Sequence, residues 1–133
     1  MLSRRRFATC ALCAAGGVLM AEVGVRAQTP GLTRTLLNKT EYPGDKMVTL
    51  QMLVEIDPNF LVPRHTHPGV ESSYVVEGGV ELTVEGEGTK TYAPGEGFQV
   101  PPGVPHSGQN GPAKTVLAAT YVVEKGKPLA SPA

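Results

Sequence analysis

The sequence predicts an all-β fold, a small antiparallel sandwich or barrel, on three observations. Glycine (16) and proline (12) are plentiful while tryptophan is absent and aromatics are sparse, the composition of a turn-rich chain. Between Gln28 and Ala133 no run carries a helical apolar stripe with caps. Short β-rich segments instead follow one another closely, each bounded by glycine or proline.

Residues 1–27 are expected to be a targeting segment outside the fold. Met1 to Phe7 is a basic start, and Ala8 to Ala21 an uncharged run of 14 residues rich in Ala, Gly and Leu. A membrane span needs about 20 apolar residues, so this run is too short for one. Val25-Arg26-Ala27 resembles a signal-peptidase site, with the cut expected after Ala27. Ser3-Arg4-Arg5-Arg6-Phe7 resembles the twin-arginine export signal, although Ala8 and Thr9 follow where Leu and Lys are usual. An ordinary secretion signal and an uncleaved anchor are the alternatives. Neither Cys10 nor Cys13 sits in a lipobox. The expected location is therefore periplasmic.

Cleavage would remove four arginines, Glu22 and both cysteines, leaving 8 basic and 11 acidic residues on a single domain, 28–133, of net charge −3. Without a thiol, neither a disulfide framework nor a cysteine nucleophile is available. The 12 basic and 12 acidic residues of the whole chain balance and give no sign of a nucleic-acid partner.

Within the domain, residues 33–46 offer a first strand and a Tyr-Pro-Gly-Asp turn. Residues 47–56 alternate, with Val48, Leu50, Met52, Val54 and Ile56 on one face and Thr49, Gln51 and Glu55 on the other. Asp57 to Phe60 break the run. Four β-rich pieces follow, Ser73 to Val76, Val80 to Val84, Lys90 to Tyr92 and Phe98 to Val100, then a last long strand within 113–126. Residues 126–133 read as a flexible, proline-broken tail. Gly86-Glu87-Gly88 and Gly95-Glu96-Gly97 lack a following Gly-Lys-Ser or Gly-Lys-Thr, so they are expected to be turns and not phosphate loops. The acidic positions Glu77, Glu81, Glu85 and Glu87 are expected on a solvated sheet face.

The three histidines carry the chemistry. On a strand, residues two apart share a face, so His65 and His67 can aim both imidazoles at one point. Pro68-Gly69 can turn the chain to present Glu71 there, and an antiparallel return can bring His106 alongside. Three imidazoles and a carboxylate suit one divalent transition metal: iron, manganese, nickel, copper or zinc.

These residues lie in two motifs. His65, His67, Glu71 and Gly78 resemble the first cupin motif, G-x5-H-x-H-x3,4-E-x6-G, with Asn59 where the leading glycine is usual. Gly95, Pro101, Gly103, His106 and Asn110 match the second, G-x5-P-x-G-x2-H-x3-N, at every fixed position. The motifs occupy 59–78 and 95–110, with 16 residues between Gly78 and Gly95, a gap similar to that of small prokaryotic cupins. The resemblance, over residues 34–123, implies a single antiparallel cupin β-barrel, the jelly-roll-like double-stranded β-helix. It implies that His65, His67, Glu71 and His106 bind one metal ion, and that Gly78, Gly95 and Gly103 shape turns. Pro101 would end the strand that aims His106, and Asn110 would be structural. Asn59 tolerates unusual turn geometry, so its departure leaves the ligand set intact.

Four protein ligands on an ion that prefers six leave two positions for small molecules. Counting from Glu71, Ser73 and Val75 share its face while Tyr74 points away. Met52, Val75 and Phe98 are expected to line the cavity, with Gln51 as a polar group beside it. An acid-base step would rest on Glu71 as proton acceptor, on water bound to the metal, or on Tyr42, Tyr74, Tyr92 or Tyr121 reaching in. No further carboxylate or histidine is free for that task, which counts against isomerase and decarboxylase chemistry. Two functions follow from the resemblance. One is a metal-dependent oxidoreductase of dioxygenase type acting on a small aromatic or enol-type compound; the other is a non-catalytic module that binds a metal or small ligand. A homodimer through an edge strand or the arm Leu32 to Leu37 would cover exposed strand edges.

Overall fold

Alternation of side chains sorts the chain into strands, and the computed structural model describes residues 29–133; the expected targeting segment 1–27 lies outside them. Ten strands follow in order: β1 (Leu32–Thr40), β2 (Met47–Ile56), β3 (Leu61–Thr66), β4 (Gly69–Glu77), β5 (Val80–Val84), β6 (Gly88–Tyr92), β7 (Gly97–Val100), β8 (His106–Asn110), β9 (Thr115–Glu124) and β10 (Ser131–Pro132). They form two five-stranded sheets in the orders β1-β2-β9-β4-β7 and β10-β3-β8-β5-β6. Every strand pairing is antiparallel. Neighbours distant in sequence, β2 beside β9 and β3 beside β8, give the jelly-roll connectivity. The all-β expectation holds.

The core fills the space between the sheets. On β2, Val48, Met52, Val54 and Ile56 are buried beside Val75 of β4, Val100 of β7 and Leu117 of β9 in the same sheet, and opposite them stand Val62 of β3 and Val80, Leu82 and Val84 of β5. Burying each such side chain contributes about 1.5–3 kcal/mol. Gln51 faces solvent on the other side of β2 and accepts a hydrogen bond from Asn38 Nδ2 at 2.8 Å, which corrects its expected place beside the cavity. β3 and β8 lack an apolar alternation because their inward positions are taken by Val62, His65, His106, Gly108 and Asn110. Composition alone therefore gave them no strand signal.

Both motif ends are held by their backbone demands. Asn59, at φ 59°, is the one non-glycine residue with positive φ among those described, and its N–H donates to the Gly111 carbonyl at 2.7 Å. Gly78 has φ 78°, and a Cβ there would lie 2.4 Å from the Lys114 carbonyl oxygen. Asn110 is structural: its Nδ2 reaches the Ile56, Asp57 and Ala113 carbonyls at 2.8–3.1 Å. Its Oδ1 accepts from the buried Thr115 hydroxyl at 2.5 Å.

The segment 126–133 departs from its expectation as a flexible tail. Ser131 and Pro132 pair with Thr66 and His65 of β3, and the Ala133 N–H donates to the Arg64 carbonyl at 3.2 Å. Leu129 packs against the core. Polar composition and proline conceal a docked edge strand, where a missing N–H costs nothing.

Candidate metal centre

The centre lies between the sheets. His65 on β3 and His106 on β8 are direct cross-strand partners, His67 begins the turn that leads into β4, and Glu71 enters from β4 in the opposite sheet. Gly69 permits that crossing, since a Cβ there would lie 1.9 Å from the Val122 carbonyl oxygen. The ring centroids of His65, His67 and His106 lie 4.2–5.0 Å apart, and one ring nitrogen from each falls within 4.8 Å of the others. These three histidines could hold a metal ion.

Their protonation fits that role. His65 Nδ1 lies 2.7 Å from the Pro63 carbonyl, His67 Nδ1 2.6 Å from that of Leu129, and His106 Nδ1 2.9 Å from that of Val104. A carbonyl only accepts, so each Nδ1 carries the proton and each Nε2 keeps its lone pair. His67 Nε2 and His106 Nε2 are fully buried with no hydrogen-bond partner. Glu71 Oε2 nonetheless stands 2.9 Å from the first and 3.5 Å from the second. Lone pairs facing a carboxylate at that range are favourable only with a proton or a metal ion between them. The residues present fit a metal ion.

Electrostatics agree. Burial is the chief cause that pushes His65 down to about 4; the other two imidazoles and Arg34 add to it, and the Pro63 carbonyl opposes them. The ring is neutral, as a ligand must be. Burial alone would raise the Glu71 carboxyl, but its contacts with His106, His67 and Ser73 outweigh burial and hold it well below the usual carboxylate range. The Ser73 hydroxyl donates to Glu71 Oε1 at 2.6 Å, so the shared face on β4 turns one carboxylate oxygen toward the histidines.

A small interior cavity of about 40 Å³ is walled by His65, Glu71, His106, Tyr121, Arg34 and apolar side chains. That is room for a few waters or the head of a small organic molecule. Phe98 lines it as expected, whereas Met52 and Val75 are buried in the core without reaching it. Of the four tyrosines, Tyr121 reaches in; Tyr42 and Tyr74 are exposed, and Tyr92 packs on Phe98 at 5.1 Å between ring centroids. The Tyr121 ring packs against His67, and its hydroxyl is pushed up by burial and by the Glu71 charge. It therefore holds its proton at ordinary pH and can donate a hydrogen bond. Of the tyrosines expected as groups that could reach in, it is the one on the cavity wall.

Sequence reasoning missed Arg34. The pattern Leu32-x-Arg34-x-Leu36 turns the arginine to the same side as two leucines, and that was the available signal. The Leu129 carbonyl gave no signal at all.

The model of the family described as "Cupin domain" matches residues 52–126, more than half of the chain. No curated protein matches significantly. Among solved structures, an RmlC-like cupin from Shewanella frigidimarina is 26% identical, with TM-score 0.60 over 76% of this chain and 84% of that one. KdgF from Halomonas sp. is 24% identical, with TM-score 0.55 over 70% and 80%. The DMSP lyase DddQ from Ruegeria pomeroyi is 20% identical, with TM-score 0.63 over 91% of this chain and 58% of that one. A two-sheet jelly roll, a histidine triad between the sheets and a family match over residues 52–126 lead to one conclusion: the chain belongs to the cupin domain family.

Proposed function

We propose that this cupin is an exported metal-dependent oxidoreductase of dioxygenase type, acting on a small organic substrate at a mononuclear centre ligated by His65, His67, His106 and Glu71. The carrying observation is the set of buried Nε2 lone pairs facing the Glu71 carboxylate without a partner. His65, His67, His106 and Glu71 would hold a divalent ion of the iron, manganese, nickel or copper kind, which would supply Lewis-acid and redox chemistry toward a substrate oxygen and dioxygen. The chain's own residues do the rest. Ser73 orients Glu71, Tyr121 offers a hydrogen bond to a substrate oxygen, and the apolar walls exclude water. DddQ is by its name an enzyme, which supports a catalytic role for such a barrel.

Elemental analysis of native and His106→Ala protein, followed by oxygen uptake with catechol and enol-type compounds, tests the reading. Full metal content in the variant refutes the ligand set. Bound metal, with zinc included, and no oxygen uptake favours the non-catalytic binding module instead.

Export is proposed on Ser3 to Phe7 alone: Arg4→Lys with Arg5→Lys should block export of folded protein to the periplasm. Among the described residues no helix is long and apolar enough to cross a membrane. The proposed homodimer would use β1, an edge strand whose Leu37 is exposed, and sedimentation at several concentrations checks it.

A further inference from the structure

Arg34 is the one arginine buried among the described residues, at 6% exposure. It forms an ion pair with no carboxylate among them, and its buried Nε–H has no hydrogen-bond partner. A buried charge left so costs several kcal/mol unless something compensates it. Glu71 is the only acid on the cavity wall, and it faces the histidines. With a divalent ion in place, the cavity carries roughly two formal positive charges in excess, so an anion is the occupant that balances it.

The position of Arg34 sets the size of that anion. Arg34 and His65 both line the interior cavity, and both also line an outer hollow of about 250 Å³ between β1, β3 and β10. A molecule entering through the hollow meets the guanidinium beside the histidine triad. The interior accommodates only its head. No acidic side chain lines the outer hollow; Arg64 on its wall is ion-paired with Glu85, so Arg34 is the arginine there without a carboxylate partner, and its charge favours an anion.

We propose that Arg34 is the anion-binding subsite of the metal pocket and that the substrate is a small organic acid. The guanidinium fork holds the carboxylate, and a keto or hydroxyl oxygen of the same molecule is directed at the histidine centre. This deepens the metal-centre reading and rests on it.

The test uses the full chain loaded with manganese(II), its metal content measured, and titrates pyruvate against its neutral amide. Arg34→Met should weaken pyruvate binding by roughly tenfold or more while metal content and amide binding stay unchanged, and Arg34→Lys should restore part of the loss. Equal pyruvate binding by Arg34→Met and the natural protein, or none by the natural protein loaded with manganese, overturns the proposal. If the natural protein takes up none of manganese, iron, nickel, copper and zinc, the metal reading fails by itself. The subsite is then read on metal-free protein from the Arg34 Nε–H resonance during addition of formate. A saturable shift supports the subsite, and no shift overturns it. The same resonance, followed with pyruvate, serves if Arg34→Met does not fold.

Discussion

His65 and His106 are each oriented by a carbonyl two residues back on their own stretch of chain, that of Pro63 and that of Val104. His67 takes its carbonyl from Leu129, 62 residues further on. The first two sit opposite each other on β3 and β8, where ladder hydrogen bonds already fix the backbone. His67 stands beyond the end of β3, where the chain turns toward the other sheet, and has no such local frame. Where regular structure ends, orientation has to be borrowed from afar. Of the three histidines, two are thus self-supporting and one depends on tertiary docking.

The comparison can be broken outright or sharpened by degrees. Replacing a self-supporting ligand, as in His106→Ala, should reduce metal affinity more than the roughly 10–100-fold typical of supporting groups, read by competition with a chelator. Removing residues 128–133 deletes the Leu129 carbonyl and β10 and leaves all four proposed ligands in place. That truncation should weaken metal binding by about 10–100-fold while circular dichroism stays that of a β protein; unchanged affinity would show that His67 needs no distant partner. At the other end of the first motif, Asn59→Val should cost about 1–2 kcal/mol in urea denaturation, and Asn59→Gly should fall within about half of one.

A further effect is expected on pH dependence. His65 falls from an ordinary 6.5 to about 4 in the folded metal-free protein, chiefly through burial. Between those values the unfolded chain binds the proton and the folded one does not, so stability rises with pH across that window. The melting temperature of metal-free protein should fall as pH drops from 6.5 to 4, and His65→Gln should flatten part of that slope.

Much of this was legible in the amino-acid order. Pattern and turn residues announced β2, β5, β7 and β9, because each buries alternate apolar side chains against the opposite sheet. The three histidines lay in recognisable spacing because two strands and a turn must deliver them to one point. β3 and β8 were obscure for the same reason: positions given to imidazoles cannot also carry valine or leucine. Arg34 was obscure because a charge on an inward face is normally excluded, and the residue that breaks a packing rule is the one the pocket uses. Leu129 acts through its backbone, and a backbone carbonyl is the same in every residue.

The docking of Leu129 onto His67 also imposes a timetable. A ribosome releases His65, His67, Glu71 and His106 in turn, but the carbonyl that sets the His67 imidazole emerges only after residue 129 has been joined. Until then a nascent chain can gather its histidines only loosely, and a passing ion meets a site without its final geometry. In the proposed centre, an ion would therefore meet the final geometry of His67 only once residue 129 has docked.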